Sequence, residues 1–476
     1  MSAPKPWKRR TLIALGFVLF LVATVAGITW WKFFKEGEQH FADETEQFKY
    51  GSLGGELLAG IPYPIFMILP RVFPDLIDGY GGYGAFGIAW EEGERLPIGL
   101  SIKRRGFERV TVNCALCHTT SYRLSPRENP RFAVGGPGHT VDVQALLRFL
   151  FAAANDRRFS SSRLLPEMAL HFKMDWIDVA LYKFAIIPAT RKALLIAEGE
   201  MAWMEDRPDW GPGRDDAFNL PKFVLTQMAA DDSVGNTDFP ALWMMGQRDG
   251  QLVHAGGEAT TVASVIATSA LGAGSFPGTA FDERNDWIEA YMRDLTPPPY
   301  PGGIDPARAT EGAKVFARAC ASCHAPDGDR VGTAIPLVEI GTDPEHVRAW
   351  QQPHADRMNR LTAALGIDEA PLQGAKGYVA RPLTGVWLLA PYLHNGSVPT
   401  LDDLLSPPGE RPKVFYRGYD LVDLDKVGFV SSGPEAAETG FRFDTAEKGN
   451  GNSGHEWGTT LAPDEKSALI EYLKGL

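Results

Sequence analysis

Four cysteines and their spacing constrain this chain more than any other feature. They stand as Cys114-Ala115-Leu116-Cys117-His118 and Cys320-Ala321-Ser322-Cys323-His324, and these two Cys-x-x-Cys-His copies use every cysteine in the 476 residues. Cysteines at i and i+3 fall on one side of a helical turn, where both sulfurs can bond the two vinyl groups of one porphyrin. The next residue, histidine, can then turn its imidazole onto the iron from the same side. This is the attachment signature for c-type haem. A zinc site would draw four ligands to one ion, yet the two pairs are 206 positions apart and each already carries its own histidine. A redox dithiol needs no histidine beside its second cysteine. Two covalently bound haem c groups are expected, attached through Cys114, Cys117, His118, Cys320, Cys323 and His324.

With 44% hydrophobic residues the chain can bury a core, and its length suits two or three units. Against 59 Asp and Glu there are 47 Lys and Arg, a net charge of −12 that gives phosphate backbones no attraction, so nucleic acid is excluded as a partner. The 50 glycines and 35 prolines predict long loops wrapped around something. Thr11 to Trp31 carries no charge and, at about 1.5 Å per helical residue, is about long enough to cross a hydrocarbon core. Lys5, Lys8, Arg9 and Arg10 precede it, which leaves the N-terminus in the cytoplasm and sends the body across. Ala23 and Ala26 offer a rival reading as a signal-peptide processing site. Trp30, Trp31, Phe33 and Phe34 with Lys32 and Lys35 look like an interfacial belt and favour a retained single-pass anchor. The expected location is the periplasmic face of a bacterial inner membrane, where a small redox donor or acceptor would be the partner.

The Pro- and Gly-rich stretch Thr296 to Pro306 is the clearest boundary. It predicts a basic tip and anchor over 1–34, a first haem lobe with large insertions over 35–295, a linker over 296–306 and a C-terminal cytochrome c-like lobe over 307–476. Ala313, Phe316, Ala317 and Cys320 follow helical spacing into the second motif, and Leu469, Tyr472, Leu473 and Leu476 repeat it after Pro463. Val141 to Asn155 and the region from Met168 to Met204 read as further helices, and no alternating run suggests a large sheet. The fold class expected is mainly α, two cytochrome c-like haem lobes with long loops behind one N-terminal transmembrane helix.

Function turns on the sixth position of each iron: filled, it favours electron transfer, and open, it admits dioxygen or peroxide. No methionine follows Met358, so histidine is the favoured sixth ligand of the second haem. His346 and His354 lie in a polar run that reads as a solvated helix face. Glycines around GNSGH make His455 the first choice and His394 the alternative, with His394 more suited to a propionate or a loop contact. For the first haem the candidates are His139, His254 or no protein ligand. Asp444, Asn450 and Asn452 could offer oxygens to calcium, although turn chemistry accounts for them equally well.

The tandem motifs, RPLTGVWLLAPYLHNGSVPTLDDLL (Arg381 to Leu405), RPKVF with LDKVGF, and NSGHEWGTTL (Asn452 to Leu461) resemble the dihaem cytochrome c peroxidase superfamily. Within it they are most similar to the branch that includes the rubber oxygenases. WGPGRDDAFN (Trp210 to Asn219) and DFPALW (Asp238 to Trp243) look related in the first lobe. The resemblance implies a bis-histidine haem held by His324 and His455. It also implies a haem at His118 with an exchangeable site for dioxygen or peroxide, and an aromatic side chain between the two, for which Trp210, Phe218, Phe239 and Trp243 are candidates. A retained anchor and a shorter chain set it apart from a secreted polymer-degrading enzyme, so the resemblance speaks for a chemistry class and not for polyisoprene as substrate. The expected function is a dihaem peroxidase- or oxygenase-like oxidoreductase, with His118 the proximal ligand of the active haem. The alternative is a membrane-anchored electron carrier with both irons six-coordinate. The oversized first lobe favours the enzyme.

Overall fold

The computed structural model describes residues 6–79, 81–278 and 280–476. Lys5 lies outside the described residues, as do the side chains of Lys8, Arg9, Lys32 and Phe33. Among the described residues helices take up 45%, and the strands form one three-stranded sheet and five two-stranded ones. That distribution fits the mainly helical expectation. The first helix, Pro6–Phe33, contains a 22-residue apolar stretch, Arg10–Trp31, none of which is buried in the protein. Its length and exposed apolar surface suit either a membrane anchor or a signal sequence.

The expected segment from Val141 forms a helix over Val143–Asn155, started by the Asp142 carboxylate accepting from the Ala145 N–H at 2.8 Å. The region from Met168 to Met204 is not one helix. Ser161–His171 ends at Phe172, a new helix begins at Trp176 under an Asp175 cap, and a π-turn at Tyr182–Ile186 leads into Ile187–Met201. The break follows from Asp175, whose side chain takes the Asp178 N–H at 2.8 Å and competes with helix continuation.

The helix before the second motif runs over Pro306–Ala319. Asp305 caps it by accepting from the Ala307 and Arg308 N–H groups, and Pro306 occupies its first position. It packs against the last helix, Pro463–Leu473. The inward face is Gly312, Val315 and Phe316, whereas Ala317, expected inside, is exposed. The crossing point sets that rotation. A Cβ on Gly312 would sit 1.9 Å from the Ala468 carbonyl oxygen and 2.8 Å from Tyr472 Cβ, so two backbones meet where only hydrogen fits. Gly312→Val is expected to cost about 1–3 kcal/mol through overpacking, read as a lower unfolding midpoint. Gly303→Ala, with nothing within 4 Å of its Cβ position, should leave that midpoint nearly unchanged.

One apolar cluster joins Phe66, Leu69, Phe73, Leu116, Phe149 and Leu164. A second surrounds the Pro306–Ala319 and Pro463–Leu473 helices through Phe316, Trp387, Leu388 and Leu469, and takes in Tyr122, Ala133 and Trp243 from upstream of the Pro/Gly stretch. Two fully buried arginines stitch distant segments together. Arg214 donates to the Trp210 carbonyl at 2.6 Å and to Asn450 Oδ1 at 2.7 Å. Arg417 donates to Asp238 Oδ1 at 2.6 Å and to the carbonyls of Pro212, at 3.0 Å, and Gly396, at 2.8 Å. The Phe443 ring lies under both guanidinium groups, at 4.7 and 5.4 Å.

Candidate haem-binding site

The first motif opens at the end of the strand Phe107–Val112. Asn113 turns the chain: its Oδ1 accepts from the Ala115 N–H at 2.9 Å, and its Nδ2 donates to the carbonyls of Lys49 and Gly51. The His118 N–H closes on the Cys114 carbonyl at 3.0 Å, giving the helical turn that brings both sulfurs to one side. His118 Nδ1 stands 2.8 Å from the Pro240 carbonyl. A carbonyl only accepts, so Nδ1 carries the proton and Nε2 keeps its lone pair, the tautomer a metal needs. Burial pulls the His118 pKa down to about 4 against the opposing pull of that carbonyl, which keeps the ring neutral.

The second motif repeats this logic. The His324 N–H donates to the Cys320 carbonyl at 3.0 Å, and its Nδ1 lies 2.7 Å from the Arg381 carbonyl. No disulfide joins the four cysteines, and burial raises the pKa of Cys114 and of Cys320 to about 11. Cys320, Cys323 and His324 line a cavity of about 480 Å³, walled by Leu401, Leu405, Leu469 and Leu473. This is a volume typical of sites that bury a flat organic ligand.

His455 lines the same cavity, with its ring centroid 6.1 Å from that of His324. Two imidazoles sharing one metal through nitrogen bonds of about 2 Å have centroids about 6 Å apart, so the pair fits one iron between them. The chain holds His455 there under constraint. Its φ is 46°, in the left-handed region, and its N–H donates to the Ile340 carbonyl at 2.7 Å. Gly454 lies so close to Gly341 that a Cβ would meet its carbonyl carbon at 2.2 Å. Arg411 braces the loop by donating to the carbonyls of Asn452 at 2.7 Å and Gly454 at 2.8 Å. Burial, with His324 and Arg411 nearby, lowers the His455 pKa to about 4.

His394 also borders the cavity, where its Nε2 is 2.9 Å from the Tyr378 hydroxyl and its ring stacks on Tyr378 at 3.9 Å. Its carbonyl accepts from Asp238 N–H and Thr237 Oγ1, each at 2.8 Å. His139 is buried against the Phe429 ring at 3.7 Å, with both ring nitrogens unpartnered. His254 Nδ1 lies 3.0 Å from Glu258 Oε2. His346 corrects the solvated-face expectation. It is 1% exposed, because the short Glu345–Ala349 helix turns His346, Val347 and Ala349 inward. His354 is half-buried and accepts the Gln351 N–H at its Nδ1. Met358 packs in a core with Phe218 and Trp350, away from both motifs.

Of the four aromatic candidates, Phe239 is the one that reaches both motifs. Its ring centroid is 6.5 Å from that of His118, and it lines the cavity of the second motif. Trp210 packs with Trp203 and Phe223, Trp243 donates to the Val134 carbonyl, and Phe218 stacks on Trp350. Two of the three residues raised for calcium have a side-chain oxygen engaged within the protein: Asn450 Oδ1 accepts from Arg214, and Asp444 Oδ1 accepts from the Ala446 N–H. Sequence reasoning missed Pro240, Arg381 and Arg411, which act through backbone carbonyls or as braces and leave no spacing signal. It also missed Asp215, half-buried within electrostatic reach of Cys117 and His254, whose pKa desolvation and Asp216 push up to about 7.

Comparison with known proteins places two matches in the C-terminal part. A cytochrome c family matches residues 309–384, which contain the second motif, and a family described as RoxA-like, cytochrome c-like matches residues 377–416. Two proteins of Sinorhizobium fredii are similar to this chain, one along most of it and one over a part. Uncharacterized protein y4iJ is 28% identical over 94% of this chain and 93% of its own length. Uncharacterized protein y4iM is 31% identical over 39% of this chain, which spans about half of that relative, 52%.

Proposed function

We propose that this c-type cytochrome, related to the RoxA branch, is a dihaem oxidoreductase of two haem lobes. It activates peroxide or dioxygen at the haem held by His118 and relays electrons at the haem held by His324 and His455. The carrying observation is an asymmetry. His455 stands 6.1 Å from His324, while the ring beside His118 is that of Phe239, which has no metal-ligating atom, at 6.5 Å. A six-coordinate iron suits electron transfer, and an iron with an open position suits small oxidants.

Bound haem supplies the redox chemistry. The chain supplies orientation, a dry pocket and a proton. His118 and His324 are fixed as lone-pair donors by Pro240 and Arg381. Asp215, with a pKa near neutrality, holds a proton close to the first motif at the pH where an oxygen substrate needs one. Phe239 and the Pro240 carbonyl form a short route from His118 to the wall of the second cavity. The exposed apolar helix supports retention at a membrane, with the haem-binding body on the periplasmic side.

The ferric spectrum of the full protein in detergent tests the proposal. One high-spin haem that binds cyanide or peroxide beside one low-spin haem is expected, and two purely low-spin haems would identify an electron carrier instead. His455→Ala is expected to convert the low-spin haem to high spin. His394→Ala should leave its spin state intact, and the reverse pattern would reassign the ligand.

A further inference from the structure

A third constellation uses no residue of either Cys-x-x-Cys-His motif and stands beside the cavity of the second, where the His346 ring lies 5.8 Å from that of His394 and 6.2 Å from that of Tyr378. The segment from Val253 to Ala259 is pinched shut by paired backbone hydrogen bonds between those two residues, and it carries His254 and Glu258 on one short loop. His254 adopts φ 71° and Gly257 φ 78°, which curls both side chains inward. A Cβ on Gly256 would lie 2.2 Å from Glu258 Oε1, so only glycine leaves the carboxylate its place. The third member, His346, arrives from the Glu345–Ala349 helix.

Donor atoms of the three residues lie within 4.8 Å of one another. His346 Nδ1 is 3.0 Å from the Gly235 carbonyl. That bond fixes the proton on Nδ1 and leaves Nε2 as a lone pair. His346 Nε2 faces Glu258 Oε1 at 3.9 Å, too far for a hydrogen bond, and both atoms are buried without a partner. The two side chains are 1% and 4% exposed, so bulk water does not satisfy them. Two orphaned acceptors aimed at each other across a buried gap cost free energy unless something positive stands between them.

We infer that His254, Glu258 and His346 bind a divalent first-row transition-metal cation. Two imidazoles and one carboxylate are the donor set such ions prefer over calcium or magnesium. Ligand atoms around a cation at about 2.1 Å stand about 3 to 3.4 Å apart. Glu258 meets His254 Nδ1 at 3.0 Å through one oxygen and His346 Nε2 at 3.9 Å through the other, and with the three donors within 4.8 Å of one another the set contracts by about 1 Å to grip an ion. The Gly235 carbonyl orients His346 from behind, and Phe218, with its ring 4.4 Å from that of His346, shields one side. This assigns His254 to a non-haem ion and removes it as a ligand of the first iron. The assignment stands whether or not either haem performs the proposed chemistry.

The test uses the full, haem-loaded protein in detergent, stripped with a chelator and dialysed against Zn²⁺ alone. Bound zinc is measured by mass spectrometry and haem by its pyridine adduct, so that haem loading is read separately. One zinc per chain is expected in the wild type, with affinity at least tenfold weaker in Glu258→Gln and in His346→Gln at equal haem content. Less than a tenth of an equivalent in the wild type, or equal binding by both variants, overturns the assignment. If the variants do not accumulate with haem, zinc-edge X-ray absorption of the wild type decides. A first shell of imidazole nitrogen and carboxylate oxygen supports the site, and sulfur or oxygen alone refutes it.

Discussion

Alanine at both Cys320 and Cys323 is expected to abolish covalent attachment at the second motif, so that protein matured in a competent host loses the mass of one macrocycle. The same exchange at Cys114 and Cys117 is expected to remove one more, and changing all four should leave none. The effect is all-or-none per motif, because two thioether bonds are the covalent hold and no other cysteine exists to replace them. Structural damage should differ between the two. The second motif opens onto a cavity of about 480 Å³ walled by leucines, and an emptied apolar cavity of that size loses dispersion contacts on every side. The first motif is locked from behind by Asn113 and by Gly99, whose Cβ position lies 2.1 Å from Leu116 Cα, so its backbone should persist without the cofactor. Intact-mass analysis reads the first effect and thermal unfolding the second. An unchanged macrocycle count in the Cys114/Cys117 variant would leave a single-haem cytochrome and end the division of labour proposed above.

What the sequence disclosed and what it concealed follow a physical line. The motifs were legible because thioether chemistry demands a fixed covalent spacing. The helices at Pro306 and Pro463 were legible because burial repeats with the helical period and proline marks both starts. The glycines flanking His455 let its loop approach Gly341, which sets its ring beside that of His324. His346 was misread because local polarity suggested solvent, and a five-residue helix is too short to display which face is inward. Its burial comes from Phe218 and Tyr378, 128 positions upstream and 32 downstream, contacts that no local pattern encodes. Pro240 and Arg381 escaped for a different reason: their functional atoms are carbonyl oxygens, which every residue owns. The strings WGPGRDDAFN and DFPALW stand out in the sequence for their aromatic residues, and the structure gives them a further role, since Arg214 and Asp238 within them belong to the buried arginine hub.

That hub yields the second large effect. Arg417→Met is expected to destabilise the folded protein by about 3–5 kcal/mol, the cost of breaking a buried ion pair from one side. Arg417 is 1% exposed and spends its guanidinium on Asp238 Oδ1 and on the carbonyls of Pro212, Asn395 and Gly396. Methionine fills the volume but strands a carboxylate that burial already pushes above its usual pKa, along with three carbonyls that lose their donor. Lysine should not rescue, because a point charge on a flexible stem cannot serve four acceptors arranged for a planar fork. Asp238→Asn added to Arg417→Met should recover part of the loss, since it removes the stranded charge. The strain should also reach the first haem site before the second. Asp238 donates its N–H to His394 and is followed directly by Phe239 and Pro240, whose carbonyl holds His118. His324 and His455 are instead braced by Arg381 and Arg411. Unfolding midpoints for the single and double variants, followed at the two haem absorbances, measure both claims. A loss below about 1 kcal/mol, the level of an exposed ion pair, would show that the hub is incidental, and simultaneous change at both haems would show that it does not act through Pro240.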